Sequence, residues 1–434
     1  MVRDPIAVLN AHSRRLGDTY RYFFGGIREI LVTSRPSILA HVLKTNWGNY
    51  RKSDIQMRRM RHFLGDGLLT SHGECWRHKR RHIQASFRME RLSSALPVMR
   101  ASLEESIVRF DTVIDQGAVD MSREMMAMTF TMVARSMLGA DVSASDVELV
   151  SNAITCIQKF MVRQIVAPFL SPWFHISGAV RKHDAMRRKA NAAVFKHIAK
   201  PGCDDRRDEN LLDALHRMTD ATSGQPLDPE QVLAECMHML VAGHETSSNV
   251  LTWTLYLLAR HPTYLDCCRR EFGEVLGDGK LSAEHLPALK LTTAVLEEAM
   301  RLYPAFWMLD RMAVGDDSVD GVAIPAGTTV LAFIYGVHRS PQFWQEPERF
   351  LPERFQEAGH ATTRQMFLHL PFGGGPRQCI GSSYASLQML LILSVLLPRY
   401  DFTLANDRPI SPRPLLVLRP RGGMRMHVRR REKI

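Results

Sequence analysis

From about Arg35 to Met300 apolar positions recur mostly at helical spacing, and the strand period appears only outside that stretch. The opening reads as a short β-meander: TYRYFF from Thr19, a Gly25-Gly26 turn, then REILV from Arg28. Loops are expected at Gly65 to Gly73, Pro168 to Gly178 and Pro201 to Asn210. Asp228-Pro229-Glu230-Gln231 sets an acidic N-cap, proline at N1 and Gln at N3, the start of a long helix. Its pattern runs to Arg260, where His261-Pro262 ends it, roughly 50 Å of helix at about 1.5 Å per residue. Strands return at Val319 to Ile334, punctuated by Gly321, Pro325 and Gly327, and Leu415 to Val428 (LLVLRPRGGMRMHV) reads as a terminal hairpin. There are no repeats, and no window approaches the ~20 apolar residues of a membrane span. The longest apolar run, Met389 to Leu397, contains Ser394 and stops at Pro398, which makes it a core helix. The N-terminal residues carry neither a signal-peptide pattern nor an anchor, so a cytoplasmic, soluble chain is expected. Length alone suggests two or three domains. The segments that carry chemistry run from Trp76 to Cys379 without a linker, so a single mainly α domain with small β-regions, residues 1–434, is expected instead.

Composition changes this picture little. Apolar residues make up 45% of the chain, ordinary for a large core. The formal charge is +11, but the basic residues are dispersed and no binding module accompanies them, which argues against a nucleic-acid partner. Seven cysteines without framework spacing argue for free thiols in a reducing compartment, Cys203, Cys267 and Cys268 among them.

The chemistry concentrates in Phe372 to Gly381, FGGGPRQCIG, which sets Cys379 in a glycine-rich basic loop just before the apolar helix. A helix N-terminus and Arg377, two residues away, are expected to pull the thiol below its usual value near ~8.5. Gly373, Gly374 and Gly375 are expected to let backbone N–H groups approach the sulfur. A dinucleotide loop is excluded, because Gln378 stands where GxGxxG needs its third glycine. In the middle of the long helix lies AGHETS, Ala242 to Ser247. Ala242 and Gly243 leave room for a flat cofactor, and Thr246 can bond back to the Ala242 carbonyl. His244-Glu245 does not begin a zinc-binding HExxH, since the fifth residue is Ser248.

Together these motifs resemble the cytochrome P-450 superfamily over nearly the whole chain. The resemblance implies a helix-rich triangular prism holding haem b (iron protoporphyrin IX) between the long helix and the cysteine-loop helix, with Cys379 as the iron ligand. It implies that Glu245 and Thr246 relay protons to the dioxygen being cleaved. Trp76 and Arg80 of WRHKR, with Arg311 and Arg377, would hold the haem propionates, and Ala242, Gly243, Phe372, Gly373 and Gly381 would line the cofactor. Glu298 and Arg301 form ExxR, which the family joins to an arginine of PERF; that tetrapeptide occurs twice here, and Arg354 of the second copy is the better match. Arg77, Lys79 and Arg81 read as a solvated basic face suited to an electron donor. Substrate would meet Leu69, Val241, Ala242, Phe306 and Leu415, under a lid resembling Phe160 to Trp173. A cluster of Arg58, Arg59, Arg61 and His62 would fix a substrate carboxylate. The expected activity is monooxygenation of an apolar fatty-acid- or terpenoid-like molecule with O2. No fused reductase module is expected, so electrons would come from a separate ferredoxin or flavodoxin and its NAD(P)H-dependent reductase. A polyketide- or steroid-tailoring oxidase, a peroxide-driven enzyme and a haem-thiolate sensor stay open as alternatives.

Overall fold

The computed structural model describes residues 4–24, 28–139, 142–198, 211–220, 223–356, 363–364 and 366–432. The expected Gly25-Gly26 turn, the loop Pro201 to Asn210 and Cys203 lie outside the described residues. The longer helices are α1 (Pro5–Leu16), α2 (Asp54–Leu64), α3 (Gly73–Gln84), α4 (Met89–Ile114), α5 (Met121–Leu138), α6 (Ala144–Val166), α7 (Ala179–Ile198), α8 (Pro229–Arg260), α9 (Pro262–Leu276), α10 (Lys290–Leu302) and α11 (Ser382–Arg399). Among the described residues no helix is long and apolar enough to cross a membrane.

Helix α8 begins as its sequence dictates. The Asp228 carboxylate accepts from the Gln231 N–H at 2.8 Å, and the Gln231 side chain accepts from the Asp228 N–H at 3.0 Å. Of its 32 residues, 21 are buried, so it runs through the core with α5 packed along it instead of showing one apolar stripe. A Cβ on Gly243 would lie 3.3 Å from the Val133 methyls of α5. The missing side chain therefore lets two helices approach, and the space it leaves is taken by protein. One apolar cluster joins side chains from Leu68 to Val428.

The strands form small sheets at the periphery. The largest has the order β1-β2-β8-β5-β3, from Thr19–Phe24, Arg28–Thr33, Thr329–Ala332, Leu309–Ala313 and Tyr50–Arg51. Strands β2 and β8 run parallel, and Arg311 of β5 stands opposite Val330 of β8. Strand β5 was not foreseen, since its central Asp310-Arg311 hides the alternation that marks a strand. Strands β6 (Asp317–Val319) and β7 (Val322–Ile324) make a separate hairpin around Gly321. The segment Pro168 to Gly178, expected as a loop, contains a 3-10 turn and a short helix, Ser171–Ile176.

The terminal segment is not a hairpin. Strand β11 (Leu418–Pro420) pairs with β10 (Pro412–Pro414), whereas β12 (Arg425–Arg430) pairs with β9 (Tyr400–Leu404) and β4 (Val119–Asp120). Gly422 and Gly423, both at φ 86°, swing the chain from one sheet to the other, and Asp120 accepts from the Met424 N–H at 2.9 Å.

Candidate functional site: a thiol beside a cluster of cations

The cysteine loop is seated from behind. A Cβ on Gly375, at φ 69°, would lie 1.8 Å from the Leu43 carbonyl oxygen, and one on Gly374 would lie 2.7 Å from the Phe367 ring. The glycines thus press the loop against the wall behind it; they do not clear space before the sulfur, as the sequence led us to expect. The Cys379 N–H donates to the Phe372 carbonyl at 2.9 Å, and the Gly381 N–H turns toward the sulfur. Cys379 is exposed by surface area, yet enough protein surrounds it for burial to push its thiol up. Both hold for a side chain on the wall of an enclosed space. The expected lowering is overturned: the Gly381 N–H and the charge of Arg80 oppose burial without overcoming it. Arg80, not Arg377, is the cation that the sulfur senses.

Beside the thiol, four cations converge. Arg80 donates to the Gln378 carbonyl at 2.8 Å, Arg311 to the Asp310 carbonyl at 2.7 Å, and Arg377 to the Ser71 carbonyl at 3.1 Å. Lys52, which sequence reading missed, donates to the Leu69 carbonyl at 2.7 Å. Among the described residues all four are bonded to carbonyl oxygens, not to carboxylates. Burial, then Arg311 and Arg377, push Lys52 down to about 7 against the weaker pull of Asp310. Burial, then Arg311 and Arg80, push Arg377 down to about 9. Arg377 also lies over the Trp76 ring, 3.8 Å from its centroid. Trp253, Trp307 and Trp344 each donate their indole N–H to a carbonyl. Trp76, only 5% exposed, donates to no described residue.

In the middle of α8 burial is interrupted at Val241, Ala242, Gly243 and Thr246. The Thr246 hydroxyl donates to the Ala242 carbonyl at 2.9 Å, as the motif implied, and α8 stays α-helical through it. Glu245 is buried on another side of the helix. Its Oε1 accepts from Arg419 of β11, with Nε at 2.7 Å and Nη2 also in contact, while Oε2 is buried without a partner among the described residues. Arg419 too was missed by sequence reading.

The expected substrate residues fall in separate surroundings. Leu69 is half-buried against Phe63, Phe160, Met161 and Leu416 in a satellite cluster. Val241 packs on the main core, Phe306 is exposed, and the Leu415 carbonyl accepts from the Trp307 indole at 2.8 Å. Of the expected lid, Phe160 and Met161 are buried, but Phe169 and Trp173 are exposed. A cavity of about 490 Å³ opens next to the cations and is lined by Lys52 and Arg377 together with Arg51, Asp54, Arg58, Arg61 and His72; Arg51 pairs with Asp54 and Arg61 with Asp66. Arg59 does not line it, and His62 at its edge pairs with Asp184 at 3.0 Å. Lys79 is buried in an ion pair with Glu235, which removes it from the basic face; Arg77 and Arg81 are exposed.

Behind the loop, the Arg301 guanidinium places all five N–H groups. It meets both Glu298 oxygens at 2.6 and 2.8 Å and the carbonyls of His338, Pro347 and Arg349 at 2.8, 2.7 and 3.1 Å. Arg354 stands 3.5 Å from Glu298, whereas Arg349, of the first PERF, is exposed and pairs with Glu346. Burial, then Arg301 and Arg339, push His338 down to about 3, so it is neutral. Its Nε2 accepts from the Leu370 N–H at 2.8 Å, which ties this group to the root of the cysteine loop.

These features set an accessible thiol beside a group of four cations, an arrangement suited to an anionic group. The sequence pattern of the cytochrome P-450 family matches residues 3–426, and the chain belongs to that family. It is 29% identical over 417 residues to protein LUTEIN DEFICIENT 5, chloroplastic, of Arabidopsis thaliana, covering 91% of this chain and 68% of that protein. It is 29% identical to a cytokinin hydroxylase of the same plant, covering 86% and 74%. With cytochrome P-450 4F6 of Rattus norvegicus the identity is 27%, covering 96% and 81%. The protein is thus a haem-dependent monooxygenase. Its residues fit the cofactor: an accessible thiol, the Trp76 indole N–H with no acceptor among the described residues, and four cations that form no hydrogen bond to a carboxylate among those residues.

Proposed function

We propose that this chain, as one haem domain, hydroxylates or epoxidises an apolar molecule bearing a single carboxylate, of the fatty-acid kind. The observation that carries this reading is the cation group beside Cys379 and its continuation into the adjoining cavity, where Arg58 stands with Arg51 and Arg61, the latter two paired with Asp54 and Asp66. In this reading Cys379 ligates the iron of protoporphyrin IX, and the Gly381 N–H and Arg80 favour its thiolate form. Trp76, Lys52, Arg80, Arg311 and Arg377 take the two propionates, for which guanidinium geometry is suited. Phe372 and Gly373 shape the loop, and Ala242 and Gly243 carry the helix past the cofactor. The haem, when bound, supplies the activation of O2 that no side chain here can perform.

The chain itself manages protons and orientation. The Thr246 hydroxyl is committed as donor to the Ala242 carbonyl, so its oxygen is left to accept a hydrogen bond from water on the open side. Glu245, held through Oε1 by Arg419, keeps Oε2 free to take up and pass on a proton. Leu69, Val241, Phe306 and Leu415 favour an apolar chain, at about 25 cal/mol per Å² buried. Exposed Arg77, Arg81 and Arg88, on the face that adjoins Gly381 through Phe87, suit an acidic ferredoxin or flavodoxin supplied by its NAD(P)H-dependent reductase.

Two measurements test this. Reduced protein with carbon monoxide should give the spectrum of thiolate ligation, and a histidine-type spectrum from folded protein would refute it. Titration with a fatty acid, its methyl ester, a terpenoid, a steroid and a macrolide should favour the free acid; equal affinity for acid and ester removes the carboxylate.

A further inference from the structure

Lys79 and Glu235 form a buried ion pair that the chemistry above does not use. Their side chains are 7% and 0% exposed, with Nζ 2.6 Å from Oε1. Such a pair commonly gains nothing over apolar packing of the same shape, so its place in the fold needs a reason. The loop between α2 and α3 supplies one. The other Glu235 oxygen accepts from the Leu68 N–H at 2.9 Å, and His238, one turn along α8, accepts from the Leu69 N–H at 3.3 Å. Lys79 reaches the Asp66 carbonyl at 3.4 Å. The loop passes so close that a Cβ on Gly67 would lie 2.3 Å from the His238 ring and 3.0 Å from Glu235. Three side chains from two helices thus grip four consecutive loop residues.

The next groups along the same loop hold cations of the haem site. The Leu69 carbonyl accepts from Lys52 and the Ser71 carbonyl from Arg377. These two cations repel each other and lose solvation where they stand. Without fixed acceptors they would turn toward water. We propose that Lys79, Glu235 and His238 are positioning residues: they clamp the loop so that its carbonyls hold Lys52 and Arg377 aimed at the cofactor carboxylates before it binds. This rests on the haem reading above. Preorganisation of this kind tightens binding by removing the cost of ordering the site.

The test compares two cofactors in holoprotein: iron protoporphyrin IX and its dimethyl ester, which has no carboxylates. Cofactor loss to excess apomyoglobin is followed in the wild type and in Lys79→Met/Glu235→Leu, which replaces the ion pair by apolar packing. The variant should release protoporphyrin IX about tenfold faster, while the ester leaves both proteins at equal rates. Gly67→Ala, which pushes the loop away and leaves every charge in place, should reproduce this. In a Lys52→Met/Arg377→Met background the clamp substitutions should have no further effect. Equal acceleration for both cofactors would mean general loosening, and no acceleration would mean that the loop holds itself; either overturns the proposal. A wild type that retains acid and ester equally would instead remove the propionate reading on which it stands.

Discussion

Arg301→Lys tests the group behind the cysteine loop. Arg301 spends five N–H groups on five acceptors, two of them the Glu298 oxygens, and is wholly buried. It also lies 5.1 Å from the Trp344 ring centroid. A lysine keeps the charge but has three donors at one point, so at least two acceptors lose their partner in a site closed to water. Hydrogen bonds to charged groups contribute about 1.5–3 kcal/mol each, and the loss should be about 4 kcal/mol. Unfolding entropy near ~2.1 cal/mol/K per residue turns that into a fall in Tm of about 4 °C for a chain of 434 residues. Arg354→Lys, which alters a single contact at 3.5 Å, should cost about 1 kcal/mol. Because the His338 ring bonds the Arg301 backbone and the Leu370 N–H, the first variant should also retain haem less well. Calorimetry and cofactor retention measure both. A Tm within 1 °C of wild type for Arg301→Lys, with retention unchanged, would refute the reasoning.

Three other outcomes follow from the geometry. Thr246→Ala should leave NAD(P)H consumption running while product per NAD(P)H falls; unchanged coupling would favour a peroxide-driven route. Gly375→Ala should prevent stable cofactor incorporation, since its Cβ would collide with the Leu43 carbonyl at an unfavourable positive φ, and normal haem content in the purified variant would contradict this. Burial pushes the Asp317 carboxyl up, but hydrogen bonds from Tyr50, His41 and Asn46 outweigh it and hold it at about 2. Its contribution, of order 2 kcal/mol, is complete above the unfolded value near ~4 and is lost as pH falls toward 2. The Tm gap between wild type and Asp317→Asn should therefore close over that window, and a constant gap would rule the linkage out.

Local chemistry was legible in the chain, and long-range pairing was not. The α8 start could be read because capping acts within four residues, and the Glu298–Arg301 pair because one helical turn joins them. Arg419 could not be matched to Glu245, since 174 positions separate them and β11 is three residues long and ends in proline. Lys52 sits among ordinary surface charges in sequence, and only the fold carries it to Arg377. Glu235 and His238 did leave a trace, two polar residues a turn apart in the apolar run VLAECMHML. The glycines of FGGG were legible as a requirement, but their cause, Leu43 and Phe367, lies elsewhere in the chain.

The cation group draws on Lys52, Arg80, Arg311 and Arg377, contributed by segments scattered along most of the polypeptide. On the haem reading above, a nascent chain can offer the cofactor both a sulfur and its counter-charges only once Cys379 has been made. Glu245 of the long central helix likewise meets its partner only after Arg419 has been made.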